Sequence, residues 1–251
     1  MEGNVVERKL LLYPDLKSLA VETLQYVDRT NKLLALHGHR NRAEQLQIIH
    51  SDESLAVLRH SLSPYYMLRN PPTQAASRSL SEIEVMSNLT QLFAGCIEQY
   101  QPLQFYNFIE TLGCLLLEKP TSLRKGPIFT TVDRQGSRVK YPDADHIEPA
   151  LNNMHRFILS RKDSLPDVAT AVVVSTALLN CHPLVDGNGR AARILLNFLL
   201  LRSPQNYLYF YDAYSAAQGG YQIRIRMAET LGDWDELMGF YCFLIGRMCG
   251  G

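Results

Sequence analysis

The sequence predicts a mainly α-helical bundle interrupted by one short β-hairpin. Apolar residues recur at helical spacing over most of the chain, and only between about 128 and 141 does the period change to strand alternation around a turn. The composition supports a well-packed chain. Its 251 residues are 46% hydrophobic and 20% charged, with 15 glycines and 12 prolines, unlike a disordered or low-complexity sequence. A chain of this length buries a substantial core, as one large domain or as a domain with an extension.

Taken in order, Leu16, Leu19, Ala20, Thr23, Leu24 and Val27 make residues 15–36 one amphipathic helix, closed by His37-Gly38-His39. Residues 41–68 read as shorter helical pieces with a junction at Ser51-Asp52-Glu53-Ser54. The run from Asn70 through Pro71 and Pro72 to Ser77 has a loop's composition. It divides the chain into an N-terminal helical extension, 1–78, and a second part, 79–251. Ser79 and Glu82 have the spacing of a capping box that opens a helix reaching about Tyr100, and another helix over 103–118 stops at Lys119-Pro120. Ile128-Phe129-Thr130-Thr131-Val132 and Arg138-Val139-Lys140-Tyr141 then flank Asp133-Arg134-Gln135-Gly136, a hairpin signal closed by Pro142. Helical periodicity returns over 147–160, 166–180, about 188–202 and from 218 to the end.

Charge and cysteine usage narrow the function classes. Lys+Arg and Asp+Glu both number 25, which argues against a general electrostatic binder of nucleic acid. Five cysteines, Cys96, Cys114, Cys181, Cys242 and Cys249, form no CxxC pair and read as reduced thiols in a reducing compartment. Charged residues interrupt the N-terminus where a signal peptide needs an apolar run. The longest near-apolar stretch, Ile194–Leu201, is eight residues, against roughly 20 for a membrane span. The expectation is a soluble protein, cytoplasmic where it is made, with no nucleic-acid or membrane partner; later secretion into a host cell stays open.

One stretch carries chemistry, from His182 to Arg193: His-Pro-Leu-Val-Asp-Gly-Asn-Gly-Arg-Ala-Ala-Arg. Gly187 and Gly189 allow backbone N–H groups to approach an anion, and Asn188 tolerates the left-handed conformations of such a loop. The loop leads into a helix N-terminus, where orphan N–H groups and the macrodipole favour phosphate. Arg190 and Arg193 are three residues apart and share a face of the first turn, suited to two successive phosphates. Cations oppose the dipole there, so for stability alone the position is a poor one, and such a local conflict marks a functional site. Asp186 beside the loop is suited to share a Mg²⁺ ion with a polyphosphate. His182, with an unperturbed pKa of about 6.5, is suited to act as a general base.

These residues resemble the active-site motif of Fic-domain proteins, HxFx(D/E)GNGRxxR, with Leu184 standing where the family usually has Phe. The likeness extends over roughly 80–251. The hairpin at 128–141 is similar to the family's flap, Arg124 to a basic residue leading into it, and Tyr221 with Gly232-Asp233-Trp234 to the pattern of its C-terminal helices.

The resemblance implies a Fic-type helical bundle that transfers AMP from ATP to a Ser, Thr or Tyr hydroxyl of a target protein. It makes His182 the base, Asp186 the ligand of Mg²⁺ (or Mn²⁺), and Gly187, Asn188 and Gly189 the phosphate cradle. Arg190 then holds the β-phosphate and Arg193 the γ-phosphate. Ile128, Thr130, Thr131 and Val132 become target-docking flap residues, and Tyr221 a candidate nucleobase contact. Many members restrain themselves with an (S/T)xxxE(G/N) helix whose Glu pairs with the second motif arginine. Ser18 and Glu22, on the helix at 15–36, are the best match here, with Glu84 a weaker one. De-AMPylation, UMP or phosphocholine transfer and a non-catalytic nucleotide-binding module stay open, as do restraint by an antitoxin subunit and a homodimer. The kinase chemistry of the Doc branch is disfavoured because Gly189 and Arg193 are both present.

Overall fold

The computed structural model describes residues 5–36, 40–62, 75–93, 102–130 and 138–250. Among them are eleven α-helices and a two-stranded parallel sheet. The fold class read from the sequence is the fold observed.

The centre is helix α7 (Val168–Cys181), with α1 (Val21–Ala35), α2 (Arg42–Ile49), α3 (Asp52–Leu58), α4 (Ala75–Leu92), α5 (Pro102–Leu117) and α6 (Ile147–Ser160) preceding it. Helices α8 (Asn188–Leu199), α9 (Phe210–Ala216), α10 (Gly220–Leu231) and α11 (Asp235–Cys249) follow. Helix α7 is apolar all round, and each of its residues except Leu179 is buried, as expected of a helix enclosed by others. Asp167 caps its start by accepting from the N–H groups of Ala169 and Thr170. Helix α8 packs back along α7, with α5 and α6 on flanking sides.

Residues from both sides of the expected boundary share one core. Leu19, Val27, Leu34, Ile49 and Leu58 join the cluster that contains Val172, Leu195 and Leu244. Helix α1 lies against α11 and α7. The single helix expected over 15–36 is a 3₁₀ turn at Leu16–Ser18 followed by α1, so Ser18 and Glu22 stand on different elements. Ser79, expected to open the helix, lies within α4, which already begins at Ala75. Residues 210–216 form α9, outside the expected helices.

The hairpin is present in its described part. The Thr130 N–H donates to the Val139 carbonyl at 2.8 Å and the Tyr141 N–H to the Ile128 carbonyl at 2.9 Å. Thr131 and Val132 lie outside the described residues. The sequence did not reveal that β2 (Arg138–Lys140) has a second neighbour. Strand β1 (Val5–Glu7) pairs with it in parallel, Val6 opposite Val139.

Candidate active site

Helix α7 ends at Cys181, and His182 caps it in the left-handed region, at φ 53° and ψ 58°. A non-glycine residue held there costs about 1–3 kcal/mol, so its surroundings must over-determine the backbone. Arg124 supplies much of that constraint. Its Nε donates to the His182 carbonyl at 2.7 Å, and Nη2 donates to the Cys181 carbonyl at 3.1 Å. The same guanidinium donates to the carbonyls of Gly126 and Pro142 at the two roots of the hairpin. One buried cation thus joins the end of α7 to the hairpin.

The His182 ring is oriented at two points. Nδ1 lies 3.2 Å from the Leu179 carbonyl. A carbonyl only accepts, so Nδ1 carries the proton and Nε2 is left as a proton acceptor. The ring also stacks on Tyr141, centroids 3.8 Å apart and 22° from parallel. Burial pushes the imidazole pKa down to about 4, with Arg8 and Arg124 adding in the same direction and Asp186 opposing. At neutral pH His182 is therefore uncharged.

The loop to α8 is held from within. The Asn188 side chain accepts from the Leu184 N–H at 2.9 Å and donates to the Leu184 carbonyl at 2.8 Å. Asn188 is buried and begins α8, so the left-handed turn falls to Gly187 at φ 82°. Its side chain clasps the loop rather than facing outward to an anion. Leu184 is fully buried as the loop's anchor, seated against Gly113 of α5. A Cβ on Gly113 would lie 2.7 Å from Leu184 Cδ2, so glycine there makes room for the anchor. Gly187 at the N-cap supplies no side-chain cap, and the first N–H groups of a helix have no intrahelical partners. Asp186 is exposed, and its Oδ1 accepts the Gly187 N–H at 2.6 Å.

The two arginines part company in their surroundings. Arg190 is half-buried and donates to the Leu116 carbonyl at 3.2 Å. Arg193 is buried, stands over the Tyr211 ring and forms an ion pair with Glu82 of α4, whose side chain is fully buried. Arg193 Nε lies 3.1 and 3.2 Å from the two Glu82 oxygens, and Nη2 also donates to Oε1. The Tyr207 hydroxyl donates to Glu82 Oε2 at 2.7 Å. Burial disfavours the Arg193 charge, but the Glu82 carboxylate outweighs it and the pKa is raised.

Glu82 corrects the expectation for Glu22. Glu22 is exposed in the first turn of α1, and Ser18 bonds back to the Asp15 carbonyl. The carboxylate that meets Arg193 is the one whose spacing from Ser79 suggests a capping box. A signal for it existed: Glu82 falls on the stripe of Val85, Met86 and Leu89, which places a charge on the buried face of α4. Tyr221 is likewise corrected. It sits in the core with its ring stacked on Tyr214 at 3.7 Å and its hydroxyl 3.4 Å from that of Tyr241. Ile128 and Thr130 stand on the hairpin's first strand and are half-buried, but the outer edge of β2 is already taken by β1.

A buried helix ends in a constrained histidine, and a helix N-terminus with two arginines in its first two turns follows within a few residues. Residues 105–200 match the family model described as the Fic/DOC family, a span that begins in α5 and ends with α8. Residues 105–200 form a Fic domain. Solved structures agree on the fold. A Fic family protein from Desulfovibrio desulfuricans G20 superposes with a TM-score of 0.57 at 15% identity, over 94% of this chain and 74% of that one. A fragment of Fic-1 from C. elegans does so with a TM-score of 0.52 at 14% identity, over 89% and 69% of the two chains. No curated protein matches the chain. The Fic model includes Tyr141, His182 and both arginines but neither Glu82 nor β1, which come from the flanking sequence. No helix among the described residues is long and apolar enough to cross a membrane.

Proposed function

We propose that this Fic-domain protein is an adenylyltransferase, moving AMP from ATP to a hydroxyl of a target protein, with Glu82 restraining it. The observation that carries the reading is the neutral His182, its Nε2 left as acceptor, beside an N-terminus bearing Arg190 and Arg193. The target's hydroxyl oxygen attacks the α-phosphorus, the bond to the β-phosphate oxygen breaks, and pyrophosphate leaves. The hydroxyl proton passes to His182 Nε2. The reaction needs mainly alignment and neutralisation of charge, which the N–H groups of α8 and the arginines supply.

Arg190 serves the β-phosphate. Arg193 serves the γ-phosphate once Glu82 withdraws, because the carboxylate now takes the donors that phosphate would use. The fit for a metal is that of a shared site. Asp186 is an exposed carboxylate beside the anion loop, and Mg²⁺ is commonly held by one or two carboxylates plus substrate phosphates. Bound there, Mg²⁺ or Mn²⁺ would neutralise phosphate charge. A target segment adds as a strand along Ile128, Phe129 and Thr130, the side of the hairpin that β1 leaves open.

The test is incubation of the full chain, His182→Ala and Glu82→Gly with α-³²P-ATP and Mg²⁺, alone and in a cell lysate. Label on protein that requires His182 and grows in Glu82→Gly is the expected result. Folded proteins that give no label in any of the three would refute the reading, and label from γ-labelled ATP instead would make the enzyme a kinase.

A further inference from the structure

The N-terminal segment reaches the same histidine from the other side of the flap. Beyond β1, the Arg8 N–H donates to the Lys140 carbonyl at 2.8 Å, extending the pairing with β2 by one bond. The chain then crosses to α7. The Leu11 N–H donates to Asn180 Oδ1 at 2.9 Å, and Asn180 Nδ2 donates to the Lys9 carbonyl at 3.1 Å. Residues 5–11 thus run from the edge of the flap to the residue two before His182.

Between these anchors the Arg8 side chain turns inward. Its Nη2 lies 2.9 Å from Glu229 Oε2 on α10, and the Glu229 side chain is only 5% exposed. Asn180 holds the other Glu229 oxygen at 3.2 Å. So fixed, the Arg8 guanidinium carbon stands 5.0 Å from the centre of the Tyr141 ring. Tyr141 is the ring on which His182 stacks. An imidazole has two side-chain torsions. The single contact from Nδ1 to Leu179 leaves rotation about that bond open, and the plane against Tyr141 closes it.

We propose that Arg8 is a positioning residue for His182, acting through Tyr141, with β1 as its carrier. The role rests on the reading of His182 as the base. It has a physical rationale: a cation over an aromatic face is attracted to the ring quadrupole, and an ion pair to a mostly buried carboxylate keeps it there. Surface attraction alone would not need a mostly buried Glu229, itself held by Asn180, to fix the guanidinium.

The experiment reads the His182 ring directly. In the full chain, the ring protons of His182 are assigned by NMR from the signals lost in His182→Gln. Stacking on Tyr141 displaces them upfield by the ring current. Arg8→Ala is expected to return them towards free-histidine positions, as is Tyr141→Leu, whereas Tyr141→Phe keeps the displacement and Arg8→Lys restores part of it. In AMP transfer, Arg8→Ala should lower kcat by about 10- to 100-fold, the scale of a misplaced catalytic group, while KM for ATP changes much less. If the wild-type protein transfers no AMP, the turnover measurement falls with the functional reading, and the ring shifts still decide whether Arg8 orients His182. Arg8→Ala with a lowered melting temperature but unchanged His182 shifts would overturn the proposal and leave Arg8 as a structural tie.

Discussion

Arg193 and Glu82 stand 111 residues apart in the chain and form one buried ion pair, closed from a third side by the Tyr207 hydroxyl. Arg193 lies in the second turn of α8, the helix that follows the glycine loop, while Glu82 belongs to a helix outside the matched Fic region. A charge pair taken out of water is no reliable source of net stability, yet removing one partner strands the other. The pairing therefore sets stability against the activity proposed for the site.

Glu82→Gln should destabilise the fold by about 3–5 kcal/mol, because Arg193 is left buried without a counter-charge. The same variant should raise AMP labelling. Tyr207→Phe removes only the hydroxyl that steadies Glu82, so it should cost about 1–2 kcal/mol and raise labelling less. Urea unfolding alongside labelling reads both quantities. A Glu82→Gln protein as stable as wild type would show that the buried pair contributes nothing to the fold.

Gly113→Ala should destabilise despite a helix preference for alanine of about 0.5–1 kcal/mol. The added Cβ would lie 2.7 Å from Leu184 Cδ2 and 2.9 Å from Thr121 Cγ2, and overpacking costs about 1–3 kcal/mol. Shortening the anchor with Leu184→Val should recover part of the loss in the double variant. A double-mutant cycle measures the coupling, and strictly additive energies would mean that the two residues do not share the space.

Acid should destabilise the protein in part through His182. Its pKa is about 4 when folded against the ordinary 6.5, so between those values the unfolded chain binds the extra proton. Stability from this group is fully present above about 6.5 and is lost as pH falls, by about 3 kcal/mol once below the folded pKa. Unfolding free energies at about pH 7 and about pH 4.5 should differ less in His182→Gln than in wild type. An identical difference in both proteins would place the acid sensitivity elsewhere.

Asn188→Ala should disable the loop more than the fold. It removes both bonds to the Leu184 backbone, at roughly 1 kcal/mol each, and leaves two buried backbone groups without those partners. The expected outcome is a fall in kcat for AMP transfer that exceeds the change in melting temperature. Full activity in Asn188→Ala would mean that Leu184 alone holds the loop.

By itself the sequence determined the helical class, the position of the hairpin and the candidate site from His182 to Arg193. Those features are local. Periodicities of 3.6 and 2 are written in neighbouring residues, and a loop leading into a helix brings its base, glycines and arginines together within twelve positions. Tertiary structure decided what surrounds them. Glu82 and not Glu22 reaches Arg193, Tyr221 packs in the core, and β1 fills one edge of the flap and brings Arg8 to Tyr141. The pairings of Glu82 and of β1 join segments 100 and more residues apart, and no short-range pattern encodes which distant partner arrives. The buried stripe of α4 announces that Glu82 needs a cation; only the packing of α4 against α8 selects Arg193.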